Sequence, residues 1–125
     1  MQLNRTTLLV DHLETAKRFY LTAFGFQCLL DEQQASGKRL IVVGPSIDGP
    51  GFLLSEPKPG DEGLVGTQSG QRVWAFIDTT DLSIDLARFR ASAVELVDGP
   101  REESFGTCLL VKDLSGNIWE WVQRR

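Results

Sequence analysis

The sequence predicts an α+β fold built from two paired βαβββ modules, a curved and partly closed mixed sheet around a cleft with the helices outside. Three observations predict it. Short apolar runs rich in Val, Ile, Leu and Thr alternate with two stretches of helical spacing, in the order strand, helix, strand, strand, strand. That order occurs twice. Between the two occurrences lies a stretch dense in Gly, Pro and charge that no regular element tolerates well.

The first strand is Leu3 to Val10, with Thr6, Leu8 and Val10 on one face and Arg5, Thr7 and Leu9 on the other. Asp11, with Glu14 three residues on, forms an Asp version of the capping box. Behind it Leu13, Ala16, Phe19, Tyr20, Ala23 and Phe24 recur at helical spacing, and Gly25 stops the helix. Phe26–Leu30, Leu40–Val43 and Phe52–Leu54 supply three strands, joined by turns at Ser36-Gly37-Lys38 and at Gly44 to Gly51. Ser55 to Gln71 is the linker. Arg72–Asp78 opens the second half, Thr80-Asp81 offers a helix cap, and Leu82, Leu86, Phe89 and Ala93 mark the helix. Val94–Val97, Thr107–Lys112 and Ile118–Val122 complete the set, parted by turns at Asp98-Gly99-Pro100 and Asp113 to Asn117. The repeat rests on element order, since Val10-Asp11 and Ile77-Asp78 are nearly the only matching residues. A lone half leaves one sheet face wet, so pairing the halves is the physical solution. One domain over 1–125 is expected, with module one about 1–58, a linker about 59–71 and module two about 72–125.

Composition narrows the function classes. The net charge is −4, and the thirteen Lys and Arg are scattered, with no more than two adjacent anywhere (Lys17-Arg18, Lys38-Arg39 and Arg124-Arg125), so no basic stripe exists for a phosphate backbone and no nucleic acid partner is expected. Unbroken apolar runs reach only five residues (Val73 to Ile77) and the N-terminus lacks a signal-peptide pattern, so a cytoplasmic protein without a membrane partner is expected. Cys28 and Cys108 stand apart and read as two buried thiols. His12, the only histidine, sits where a helix begins and is given no role.

Several local patterns carry a resemblance. Leu8-Leu-Val-Asp-His-Leu13, then Phe19-Tyr20 and Phe24-Gly25-Phe26, are followed late in the chain by Phe105-Gly106-Thr107 and Asp113-Leu-Ser-Gly-Asn-Ile-Trp-Glu120. Their joint order and spacing resemble the vicinal oxygen chelate superfamily, which holds glyoxalase I, bleomycin-resistance proteins and extradiol dioxygenases. Val-Asp-His-Leu stands where that family has Val-x-Asp-Leu, and Leu114 replaces the usual Pro of the last turn.

In metal-dependent members each module supplies one ligand from its first strand and one from its last. By motif the resemblance carries these positions to Arg5, Leu54, Arg72 and Glu120. Arginine has no lone pair and leucine no donor atom, so three of the four cannot ligate. A guanidinium about 4 Å from a divalent ion adds roughly 8 kcal/mol of repulsion at an effective dielectric of 20. No metal and no other cofactor is expected.

What remains is a ligand-binding reading: Arg5, Leu54, Arg72, Trp74, Phe76 and Glu120 around a mostly apolar cleft, where the arginines receive an anionic or carbonyl group of a small organic ligand. The alternative for Arg5, Arg72 and Glu120 is an ion-pair network that fills the space of the lost metal. A catalytic reading also stays open: a lyase, isomerase or dioxygenase of the same superfamily, metal-dependent or with Glu120 as base. No nucleophile with an adjacent base and no phosphate loop supports it. The resemblance further implies a homodimer, with or without exchange of modules. Trp119 and Trp121, of opposite parity to Glu120, are expected beneath the helices.

Overall fold

Alternation of large aliphatic residues with polar ones produces eight strands, and the two helical-period stretches become two helices. The computed structural model describes residues 1–125. Its elements are β1 (Arg5–Leu9), α1 (Leu13–Thr22), β2 (Gln27–Gln33), β3 (Arg39–Gly44), β4 (Gly51–Ser55), β5 (Val73–Asp78), α2 (Leu82–Ala91), β6 (Leu96–Glu103), β7 (Gly106–Lys112) and β8 (Ile118–Arg124). Two four-stranded mixed sheets result, in the orders β1-β4-β3-β2 and β5-β8-β7-β6, each with its first and last strands parallel.

Equivalent hydrogen bonds define the internal repeat. The Val10 amide donates to the Ser55 carbonyl at 2.9 Å, and the Thr79 amide to the Val122 carbonyl at 2.8 Å. The Leu13 amide opening α1 donates to Glu56 Oε2 at 3.1 Å, and the Leu82 amide opening α2 to Gln123 Oε1 at 2.7 Å. In each module the residue after the last core strand position therefore satisfies an orphan amide of that module's own helix. Val10 corresponds to Thr79, so the sequence match of Val10 with Ile77 is two residues out of register.

Local corrections have physical causes. Asp11 does not cap α1; His12 is the N-cap, exposed, with no side-chain bond, because Glu56 serves the first amide instead. Asp81 does cap α2, accepting from the Ser83 amide at 3.0 Å. Asp98-Gly99-Pro100 is not a turn between strands: β6 runs through it, with register shifts on either side and a cis bond before Pro100. The linker holds one short 3-10 turn at Glu62–Leu64. Its Gln68 side chain accepts from the Leu9 amide at 2.7 Å and donates to the Thr7 carbonyl at 3.1 Å, and so covers the free edge of β1.

The core joins both sheets. Leu8, Leu54, Ile41 and Val43 of the first meet Ile77, Leu109, Val111, Trp119 and Trp121 of the second in one buried cluster. Phe52 on β4 lies 5.0 Å from Trp119 on β8, ring centre to ring centre, and Phe24 beyond α1 lies 4.9 Å from Trp121. Trp119 and Trp121 thus pack beneath the helices, at 6.0 Å from Tyr20 and 4.9 Å from Phe89. Asp113, buried in the β7–β8 turn, is the polar hub. Its Oδ1 accepts from the amides of Ser115, Gly116 and Asn117, and its Oδ2 from Asn117 Nδ2, Trp119 Nε1 and the Tyr20 hydroxyl. Burial first, then the Asp113 charge, raises the Tyr20 hydroxyl well above its ordinary pKa.

Gly25 shows why a glycine follows α1: its φ is +69°, and a Cβ there would sit 2.6 Å from the Arg88 guanidinium. That guanidinium bonds Asp85 at 3.0 Å and the Phe24 carbonyl at 3.4 Å, and so links the end of α1 to α2.

Candidate functional site

Between the modules, where the starts of β1 and β4 meet β5, lies a cavity of about 420 Å³. Its ten lining residues include Leu3, Thr6, Phe52, Trp74, Phe76 and Ile77, and none of the ten is charged. The volume falls within the range of about 300–1,000 Å³ typical of small-molecule sites, which are mostly apolar with few polar groups. Phe76 stands 66% exposed and Leu3 65%, so the rim presents large apolar side chains to solvent.

The strands explain which side chains arrive. Thr6 pairs with Phe52 across β1 and β4, and Ala75 with Trp119 across β5 and β8, on the faces of the two sheets that look toward the shared core. Trp74 arrives differently. The β5–β8 register jumps between Val73, opposite Ile118, and Ala75, opposite Trp119, so Trp74 is an extra residue in a bulge with no counterpart in β1.

Of the six residues expected at the site, only Trp74 and Phe76 line this cavity. Leu54 is a core residue, 2% exposed: it pairs with Leu8 and Ile41, on the face opposite Arg5. The face of Arg5 carries Leu53 and Ser55 on β4, one residue to either side. Arg5 pairs with Gly51, and its Nε donates to Asn4 at 2.6 Å. Its equivalent in module two is Val73, opposite Ile118, so Arg72 stands one place before the strand, exposed. Glu120 lies opposite Phe76 and Leu110, on the face of the second sheet turned away from the helices. Neither arginine pairs with Glu120 in any ion pair of the chain, so the expected network does not form.

The donor set does not suit the superfamily's metal. With the register corrected, the first-module positions are Arg5 and Leu53 or Ser55, and the second-module positions are Val73 or Arg72, and Glu120. A single carboxylate among guanidinium, alkyl and hydroxyl groups does not fit a divalent ion. Nor does any group of three or more His, Cys, Asp or Glu side chains come close enough elsewhere to hold one. Cys28 is half-buried and Cys108 buried, both as free thiols; burial raises the Cys108 pKa, and the Arg101 guanidinium opposes that rise.

Two mixed sheets of βαβββ connectivity, joined through one core and flanking an apolar cavity, define a paired-module scaffold of the glyoxalase type. The family model described as the Glyoxalase/Bleomycin resistance protein/Dioxygenase superfamily matches residues 2–121, and the chain belongs to that superfamily. It is 34% identical over 119 residues to an uncharacterized protein of Shewanella frigidimarina (strain NCIMB 400), covering 93% of this chain and 88% of that protein. Among solved structures it is similar to TnmS3, an antibiotic binding protein from Streptomyces sp. CB03234, with a TM-score of 0.81 and 26% identity over 100% of this chain and 97% of that one. A glyoxalase/bleomycin resistance protein from the same Streptomyces gives a TM-score of 0.78 and 25% identity over 98% and 100% of the two chains. TioX from Micromonospora sp. ML1, 20% identical over 100% of both chains with a TM-score of 0.73, shares the fold. No helix is long and apolar enough to cross a membrane.

Proposed function

We propose that this protein is a metal-free binding module that holds a small organic molecule in the cavity between its modules, in the manner of an antibiotic-binding protein. The observation that carries the reading is the uncharged, aromatic-rich lining of the 420 Å³ cavity. It favours an uncharged ligand over the anionic one that the arginines suggested, because neither Arg5 nor Arg72 lines the cavity. The antibiotic-binding relative at 26% identity supports the class of ligand.

The working form in this reading is a cytoplasmic homodimer of single-domain chains, without nucleic acid or membrane partners. Support comes from the exposed apolar rim of Leu3 and Phe76, which a second copy would cover. Light scattering should return twice the 13.9 kDa chain mass. A value of one chain mass removes the dimer.

Thermal-shift titration tests the binding reading, using a panel of uncharged and carboxylated polycyclic aromatic antibiotics on chelator-treated protein. Uncharged members should raise the melting temperature by mass action. The cavity-filling variant Thr6→Trp should abolish the rise while circular dichroism shows it folded. No rise with any member, or a rise that survives in Thr6→Trp, overturns the assignment. A melting temperature that falls on chelation, and recovers with one metal, overturns the metal-free form.

A further inference from the structure

We infer that Trp74 selects the ligand of this cavity, donating its indole N–H to a carbonyl-type oxygen on an uncharged, largely aromatic molecule. The inference rests on the binding reading above and names the chemistry that the cavity recognises.

Trp74 is set apart by three independent features. It is the extra residue of the β5 bulge, and a bulge re-aims one side chain relative to its strand. It lines the cavity together with Phe52 and Phe76, two further aromatic residues. And its Nε1 is buried with no hydrogen-bond acceptor in the protein.

The core indole of Trp119 differs from that of Trp74 in having an acceptor. Trp119 is wholly buried and its Nε1 donates to Asp113 at 2.9 Å, as a structural indole does. Asn117 Oδ1 is the other buried side-chain atom without a partner, but its amide is already held through Nδ2 on Asp113, inside a turn. Trp74 has no such anchor. Unpaired buried donors are uncommon, and they concentrate where a group acts on something outside the fold.

The remaining lining limits what that something is. Thr6 is the only other lining residue with a polar side-chain group, and no charge is present to neutralise an ion. A carboxylate or ammonium would be desolvated without a partner, whereas a neutral carbonyl oxygen, a far stronger acceptor than a diaryl ether oxygen, needs one donor. Nε1 is closed to solvent while the Trp74 residue as a whole is half-buried, so engagement involves a turn of the ring about its side-chain torsions.

Xanthone and xanthene share one tricyclic skeleton and differ in a carbonyl against a methylene, which makes them the probes. Titrated into the full chain and followed by calorimetry, xanthone should bind about tenfold more tightly than xanthene, the scale of one buried donor satisfied or left unpaired. Trp74→Phe, which keeps an aromatic ring and loses the N–H, should bind both equally. The indole N–H resonance of Trp74, identified by its loss in Trp74→Phe, should move downfield with xanthone and not with xanthene. Equal binding by the native chain, or a preference that survives in Trp74→Phe, overturns the role of Trp74 and leaves the cavity as a general apolar site. Binding of neither compound overturns the cavity reading itself, and this inference with it.

Discussion

The two modules use one plan and differ in how much polar chemistry holds each together. In module two, six donors converge on Asp113 in the β7–β8 turn, and one of them, the Tyr20 hydroxyl, comes from the helix of module one. The corresponding turn of module one, between β3 and β4, offers Asp48 in an exposed position with no side-chain hydrogen bond. Module one instead ties its helix to its sheet at the surface, where Lys17 and Arg39 converge on Asp31 and Arg39 also reaches Glu14. No ion pair joins α2 to its own sheet; its one pair, Asp85 with Arg88, lies within the helix. Module two is therefore vulnerable at one buried carboxylate, and module one at titratable surface groups.

Loss of the Asp113 hub should cost the fold most. Asp113→Ala leaves the amides of Ser115, Gly116 and Asn117, Asn117 Nδ2, Trp119 Nε1 and the Tyr20 hydroxyl short of an acceptor in or near the core. The expected loss is roughly 3–5 kcal/mol in urea unfolding, the scale for breaking a buried charged network. Asp48→Ala should stay within about 0.5 kcal/mol. The same hub sets an alkaline limit. Because the folded Tyr20 pKa is raised, its contribution is intact below the unfolded value near 10 and is lost as pH climbs above it. Tyr20→Phe should flatten that alkaline decline in a pH series of melting temperatures.

Next in size is a test of strand register. Leu54→Ala should cost roughly 2–5 kcal/mol, as a core truncation does, and Leu53→Ala clearly less, because Leu53 lies on the half-exposed opposite face. Equal losses would place both side chains alike and undo the placement of Leu54 in the shared core.

The register also marks the limit of what was legible in the sequence. Element order, the repeat, the Asp81 cap and the two core tryptophans could be read because each depends on local spacing. The Phe52–Leu54 run could not be assigned a face, since three consecutive apolar residues carry no alternation. The bulge at Trp74 was hidden for a related reason: an added aromatic residue within Val73–Ile77 leaves the run equally strand-like. The cavity needed the packing of one module against the other. The hub needed it too, with Tyr20 and Asp113 lying 93 residues apart. The resemblance identified the superfamily positions, yet aligning Val10 with Ile77 shifted the second module and made Arg72 look like the partner of Arg5.

The shared helix-capping device should respond alike in both modules. Glu56→Ala and Gln123→Ala each strand one first-turn amide, at an expected loss of about 1 kcal/mol. Added salt should narrow the Glu56 effect and not that of Gln123, because only the carboxylate also interacts with the positive end of the helix dipole. Equal salt dependence would mean that the charge of Glu56 contributes nothing beyond its hydrogen bond.

The smallest expected effect belongs to the surface cluster of module one. Hydrogen bonds from Arg39 first, then Lys17, hold the Asp31 carboxyl well below its ordinary range. A depressed folded pKa means that its contribution is present above the unfolded value near 4 and fades as pH falls below it toward the folded value. The groups are partly solvated, so screening keeps the effect modest and salt reduces it further. Asp31→Asn should lower the melting temperature slightly at neutral pH and leave it unchanged relative to the native chain in strong acid. Lys112→Gln, which removes the pair with Glu95 in module two, should show no such convergence, because neither Glu95 nor Lys112 bridges a helix to a sheet. A native chain whose acid profile matches that of Asp31→Asn throughout would show that the cluster orders surface side chains without fastening α1 to its sheet.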